Sequence, residues 1–512
     1  MAWGGSGGQV DQIQKTGKST TERAIQADKH NPGWFGGWKK IPAKAAKGSL
    51  VEKLTIHSNK DPKNTVDLTG GFARLEYHES LLQDSIRAIV YFGDTGNSTN
   101  NQKSGTNCKN TSSVVDGLPI TGSEKVVIKI KDYQKTELEL ELYVNQVRNI
   151  NKSTLEADTA LDLSSIEYMR NEQVRLETCF KGKISEHVRK ILKDKKLLNT
   201  KKGIFIEKTA LKNYNFIGNK NKPFYSINEL CTKAVPNTPQ SGGNTAGFLF
   251  FETYTGYHFK SIDKLMSQRN KLSIIYTGTP GDKIPSGYNV KAFEFEEDNV
   301  INVQQKLMMG GFSTGCITFN QRNCDFTINY LKSSEQQKYY ELGGAGLNVW
   351  NDELTEDIGF EDASRFTFLA KDEGSLPDGK STDEQIEQSD EPNFDASRIF
   401  NQAIMRYNTL FASTNTVTIP GDFSLHAGDI VFIDSPSLKA DPKTNEVDKQ
   451  TGGKYLVVDL VHLLTPNGTW TKMNVVRDSF GRKGNPTERT ATGSEIIQNK
   501  STDKYRIDPG GI

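Results

Sequence analysis

The chain has 512 residues, with 64 Lys+Arg against 63 Asp+Glu and a formal charge of +1. This length exceeds one ordinary core and predicts roughly three or four domains, while the near-neutral balance gives no global pull toward nucleic acid or membrane. Hydrophobic residues reach only 35% and glycine fills 45 positions, as long polar loops or extensions would produce, and no apolar run approaches the ~20 residues of a membrane helix.

Residues 1–50 read as an extended arm. Apolar periodicity is absent, and Trp34, Phe35 and Trp38 sit in a Pro-Gly-rich patch. Such aromatics either dock on this chain or a neighbour, or belong to a disordered tail. From Val51 to about Phe180 the period is two. Val51-Glu-Lys-Leu-Thr-Ile-His, Phe72 to His78, Ser85 to Phe92, Lys125 to Ile130 and Val174 to Phe180 read as strands. In Thr136 to Val144, Leu138, Leu140 and Leu142 share one face and Glu137, Glu139 and Glu141 the other. Several short strands of this kind suggest a small barrel or sandwich, with residues 94–113 as a polar loop.

Near Ile184 the period becomes helical. Ile184, Val188, Ile191 and Leu192 share a face, and the helix ends in Lys193-Asp-Lys-Lys. Ser226 to Val235 predicts a short helix stopped by Pro236. Phe248 to Tyr254, the turn Thr255-Gly256, and Tyr257 to Ile262 predict a hairpin feeding a helix at Ile262 to Met266. This middle piece is α+β. From about Asn302 strands return at Gly315 to Phe319 and Cys324 to Tyr330, followed by an acidic loop at 371–395. Ser397 to Phe411 predicts an amphipathic helix with Ile399, Phe400, Ala403, Ile404, Tyr407, Leu410 and Phe411 on one face. Strands at Thr416 to Ile419, Asp429 to Ile433, Tyr455 to His462 and Lys472 to Val476 complete a second β domain, and a polar tail follows Arg482.

Chemical motifs are sparse. Gly374-Ser-Leu-Pro-Asp-Gly-Lys-Ser381 fits the phosphate-loop expression, but the acidic, proline-ended stretch after it is no helix to receive a phosphate. The seven histidines form no zinc spacing, and His426 and His462 read as hydrogen-bonded structural residues. Ser261-Ile-Asp-Lys264 is a lone S-x-x-K. The five cysteines (Cys108, Cys179, Cys231, Cys316, Cys324) lack any C-x-x-C and predict free thiols in a reducing cytoplasm; the start, Met1-Ala-Trp-Gly-Gly, lacks the pattern of a secretory signal. The paired carboxylates of a glycosidase stay open, because spacing in sequence does not give spacing in space. No catalytic, cofactor-binding or metal residue is nominated.

Specific strings carry a resemblance. Met405-Arg-Tyr-Asn, Val417 to Val431, Gly453 to His462 and Trp470 to Ser479 resemble the second tube domain of the baseplate hub proteins of contractile-tailed phages. Asn215-Phe-Ile-Gly-Asn, Lys222 to Ile227 and Phe250 to Asp263 look like the same family, which is related to the head of type VI secretion spike proteins. The likeness spans roughly residues 51–480. It implies a β-rich α+β fold in which two small tube-type β-barrel domains are separated by an α+β domain, with an N-terminal extension and polar insertions. The divisions are an arm at 1–50, a first tube domain at 51–181 and a middle domain at 182–300. A second tube domain takes 301–345 and 396–481, interrupted by an insertion at 346–395, and a tail runs from 482 to 512.

The residues singled out by the resemblance are Phe251, Gly256, Phe259, Pro420, Gly421, Leu425, Gly428, Asp429, Tyr455 and His462. Pro420-Gly421 and Ala427-Gly428-Asp429 are turn chemistry bracketing Leu425, which plugs a barrel end, and Pro466-Asn-Gly-Thr joins two adjacent strands. All are structural rather than reactive, so the expected protein is no enzyme and has no cofactor. The resemblance implies a homotrimer with six barrels in a ring, adapting a sixfold tail tube to a threefold central spike and passing DNA through its lumen. Partners would be that spike, tail tube or tube-initiator proteins, baseplate wedge proteins and a tape measure protein, in a virion tail assembled in host cytoplasm. In such a ring the glutamate row could face the lumen and keep DNA from sticking; otherwise it is an ordinary solvent face. Two other readings stay open, a hub-associated cell-wall hydrolase and a receptor-binding tail protein.

Overall fold

The structure is a computed structural model. It describes residues 50–487 apart from 95–113, 133–135, 153–155, 211–213, 238–242, 244, 278–283, 286, 300–301, 322–323, 348–364, 372–395 and 438–446. The N-terminal arm, the phosphate-loop match at 374–381, Cys108, most of the two polar loops and most of the C-terminal tail lie outside the described residues.

Seven strands form the first unit: β1 (Leu50–His57), β2 (Thr65–Asp67), β3 (Phe72–Ser80), β4 (Arg87–Asp94), β5 (Lys125–Lys131), β6 (Glu137–Lys152) and β7 (Ala157–Ser164). They pair in the order β3-β4-β7-β6-β5-β1-β2 and curl around one core. The alternation read from the residues is the one observed: Leu138, Leu140 and Leu142 are buried and the intervening glutamates exposed. The middle unit holds α1 (Ile166–Gln173), β8 (Cys179–Phe180), α2 (Ile184–Lys193), β9 (Gly203–Ile206), β10 (Phe216–Ile217), α3 (Pro223–Cys231), β11 (Phe248–Thr253), β12 (Gly256–Ser261) and α4 (Ile262–Met266). Ile184, Val188, Ile191 and Leu192 of α2 enter its core, as expected. The hairpin turn is Tyr254-Thr255, because Thr253 pairs with Gly256.

The second barrel uses β13 (Leu272–Ile275), β14 (Val290–Lys291) and β15 (Glu294–Asn299) before a detour through α5 (Val303–Met309), β16 (Ser313–Asn320), β17 (Asp325–Lys332), β18 (Arg365–Ala370) and α6 (Ser397–Leu410). It resumes with β19 (Ser413–Pro420), β20 (Ile430–Asp434), β21 (Gly453–Thr465) and β22 (Gly468–Arg477). The barrel closes because β14 and β15 act as one bent strand. β14 pairs with β13 and β15 with β19, while the Ala292 N–H donates to Ile275 and the Phe293 N–H to Thr418. From there the ring runs β19-β22-β21-β20 and back to β13.

Three expectations need correction. Residues 272–299, placed with the middle domain, pair into the second barrel. Leu272–Ile275 is buried at every position, so it shows no alternation from which to read a strand. Strands β16 and β17, placed in that barrel, instead form a separate sheet with β18, in the order β17-β16-β18. Val174 to Phe180 is not a continuous strand: only Cys179–Phe180 pairs, while Arg175 folds back so that its Nη1 donates to Glu172 and Val174 carbonyls at 2.9 and 2.8 Å, closing the end of α1.

One strand serves both β units. The first part of β21 pairs with β20 and the second part, Asp459 to Leu464, pairs with β3, so a single 14-stranded sheet runs through both units. The loop after β19 repeats the theme. Phe423 is buried in the first core, in the cluster that holds Leu75 and Tyr77, while Leu425, two residues on, is buried in the second. Phe423→Ala should therefore cost about 3–5 kcal/mol through a cavity in the first unit, measured as a lower urea midpoint with an unchanged slope.

Candidate functional site

Of the residues singled out by the resemblance, Phe251 and Gly428 lie on the seam where the three units meet, and the others are spread through the cores and turns of the separate units. Phe251 of β11 joins an inter-unit core with Leu81, Ile430, Leu456 and Val458. Gly428 adopts φ +89°, and a Cβ there would meet the Phe251 ring at 3.1 Å and Leu81 at 3.4 Å, so glycine is required for both conformation and space. Gly256 is at φ +136°, where a Cβ would sit 2.2 Å from the Gly203 carbonyl oxygen of β9. Phe259 lies inside the middle core; Leu425 and Tyr455 lie inside the second barrel. Gly421 passes against Thr469, and Pro420 closes β19 opposite Trp470. Asp429 caps its own turn, accepting from the His426 N–H at 3.0 Å.

His462 is fully buried. Its Nδ1 lies 2.9 Å from Thr471 Oγ1, its Nε2 lies 3.3 Å from the Leu425 carbonyl, and its ring stacks on Tyr77 at 6.1 Å. Burial pushes its pKa down to about 3, so it is a neutral structural residue, as sequence suggested.

Sequence reading missed the group that organises this seam. Glu79, near the end of β3, is fully buried and accepts four hydrogen bonds from three units. Tyr77 OH donates at 2.7 Å, the Tyr254 N–H of the middle hairpin at 2.7 Å, the Ala427 N–H at 2.9 Å, and His426 Nδ1 lies at 3.1 Å. Burial alone would raise the Glu79 pKa, but His426 and the hydrogen bonds outweigh it and hold the carboxyl below its ordinary 4.5. Burial likewise works to lower His426, yet Glu79 and Asp429 overcome it and hold the imidazole above 6.5, against opposition from Lys271.

A second buried cluster was also unread. Arg406 of α6 donates to Asp478 at 2.6 Å, to Asp263 of α4 at 3.1 Å and to the Glu341 carbonyl at 2.9 Å, over the Tyr340 ring. Its helix face therefore differs from the expected one. Ala403 and Leu410 of the expected face are buried, and so are Asn401, Met405, Arg406 and Thr409, while Ile399, Phe400, Ile404, Tyr407 and Phe411 are only half-buried, because the stripe is built around a charge pair rather than around its bulkiest apolar residues. Glu252 of β11 forms a third such anchor, accepting from the Ile86 N–H at 3.1 Å and Ser165 Oγ at 2.6 Å beside Lys202.

Each of these groups is tied into hydrogen bonds or ion pairs that join separate elements. Ser261 of the S-x-x-K is the N-cap of α4, its side chain accepting from the Lys264 N–H. Among the described residues no group of His, Cys, Asp or Glu is placed to hold a metal ion. Cys179, Cys231, Cys316 and Cys324 are free thiols. The glutamate row on β6 does not make an acidic wall. Lys131 and Lys129 of β5 stand opposite Glu137 and Glu139, Lys125 pairs with Glu141 at 2.6 Å, and Lys129 also reaches Glu52 at 3.3 Å, so each glutamate of the row has a lysine beside it.

No family model matches this chain, and no curated protein matches it by sequence. Among solved structures it is similar to a 43 kDa tail protein of prophage MuSo2 from Shewanella oneidensis, with TM-score 0.44, 9% identity, and 83% of this chain and 98% of that chain covered. A tail protein from Neisseria meningitidis gives TM-score 0.44, 9% identity and coverage of 87% and 100%. The half-lidded PdpA-VgrG complex of Francisella gives TM-score 0.39, 7% identity and coverage of 86% and 59%.

Two outcomes test the anchors. Arg406→Ala leaves two buried carboxylates without their shared cation and should cost about 3–5 kcal/mol in chemical denaturation. For the Glu79–His426 pair the pH window follows from the signs. The raised His426 contributes stability that is lost as pH rises above 6.5 through its folded value, and the lowered Glu79 contributes stability lost as pH falls below 4.5. The destabilisation caused by His426→Gln should shrink as pH rises from ~5.5 through the folded value of His426; a penalty that stays constant over the whole titration would show that the pair is not ionic.

Proposed function

We propose that this protein is a structural subunit of a phage tail baseplate hub. It assembles as a homotrimer whose six barrels form a ring between a sixfold tail tube and a threefold central spike, in a contractile tail. The observation that carries this reading is β21, one strand shared by two β units that hold a fixed edge-to-edge relation. A chain built as two rigidly coupled, similar β units gives six such units in a threefold assembly, three of each kind, which is what a symmetry adaptor requires. The family strings at 215–265 and 400–480 support the same reading, since the residues they mark lie in the cores and turns that fix the units together. Residues 51–181 are read as one tube domain, and 272–299 with 413–477 as the other.

In this role the chain is not an enzyme. It binds the spike on one face, tube or tube-initiator proteins on the other, and wedge and tape measure proteins around them, with DNA only in transit; its place is the virion tail. The test is the mass of the purified protein by light scattering, alone and with its spike, with negative-stain averages of the same peak. A trimer with a central hole is expected; a monomer that persists in the presence of the spike would contradict the hub.

A further inference from the structure

Among the described residues, the β17-β16-β18 sheet is covered on one face and bare on the other. Its inner face carries Cys316 at 0% exposure and packs under α6, where Asn401 Nδ2 donates to the Thr314 and Asn329 carbonyls at 3.3 and 3.0 Å. The strand registers place a different set of side chains outward. Phe319 stands opposite Phe326, Ile328 opposite Ile317, and Ile317 opposite Phe368; Tyr330 and Phe366 both flank Gly315. Phe326 is 61% exposed and Phe368 76%, and Phe319, Ile328, Tyr330 and Phe366 are also exposed. Tyr330 and Phe366 meet edge to face across the gap at Gly315, with centroids 6.0 Å apart.

Six half-exposed side chains of this size amount to roughly 600 Å² of contiguous apolar surface, at the top of the range for the largest patch on a monomer. That approaches the ~800 Å² each partner contributes to a stable protein–protein interface. Both outer strands of the sheet also leave an edge unpaired within it, the feature that monomeric proteins normally blunt.

We propose that this bare face is a subunit interface that seats against a second copy of this chain; the proposal rests on the hub reading and names its contact surface. A head-to-tail ring needs two unlike patches on one chain, and a second one exists. Asn228 Nδ2 donates to Asp84 at 2.8 Å, drawing α3 against the turn after β3; Tyr225, three residues before Asn228 on α3, and Leu82, two residues before Asp84, stand 60% and 56% exposed. The aromatic sheet of one copy meets this pair on the next.

The test compares the wild type with the Phe326→Asp/Phe368→Asp double variant and with Tyr225→Asp, by light scattering over a dilution series. All three sites are solvent-exposed, so circular dichroism and the thermal midpoint of the dilute protein should not change. A wild-type trimer that both variants weaken by roughly tenfold or more in dissociation constant supports the contact. A trimer indifferent to the double variant overturns the contact and leaves the hub intact. A wild-type protein that is monomeric throughout the series overturns the contact whatever the spike later does. If both variants fail to fold, Ile328→Thr, a smaller change on the same face, gives the same comparison.

Discussion

The carboxylate of Glu79 is the constraint on which the rest of the arrangement depends. A fully buried carboxylate is tolerated only when its lone pairs are met, and here they are met by groups from three separate cores. Tyr77 comes from its own strand, Tyr254 from the tip of the middle hairpin, and His426 with Ala427 from the turn that opens β20. The β3–β21 register, the hairpin position and the turn are thereby coupled. Shifting one of them would strand the charge in an apolar seam.

Around that point the apolar contacts follow the same logic. Phe251 fills the space that Gly428 leaves open, and Phe423 and Leu425 send one loop into two cores. Arg406 repeats the charge device on the far side, holding α4, α6 and the end of β22 together. Buried ion pairs add less to stability than their Coulomb energy suggests, because both partners lose their hydration; their effect here is to permit one relative placement of the units and penalise others.

Much of this was legible in the residues. The period-two pattern of β6, the hairpin at 248–261 with α4 after it and the face of α2 all come from local patterning, which survives in one dimension. The buried charges did not, because Glu79, Arg406 and Glu252 read as surface residues until their partners, distant in sequence, are known. Arg406 and Asp478 are 72 positions apart and His426 and Glu79 are 347 apart. Two further misreadings share a cause. Leu272–Ile275 is a short strand buried on both faces, and β16 and β17 carry apolar residues on a face that is exposed. In each case alternation reports something other than the side of the core, so the strand cannot be allotted to its sheet from pattern alone.

The central claim is that three cores act as one body. Differential scanning calorimetry of the full chain measures this directly, by comparing the calorimetric enthalpy with the van't Hoff enthalpy. One transition in which the two agree is the predicted result. Separate transitions, or a calorimetric enthalpy well above the van't Hoff value, would mean that the units unfold independently and that the Glu79 seam does not couple them.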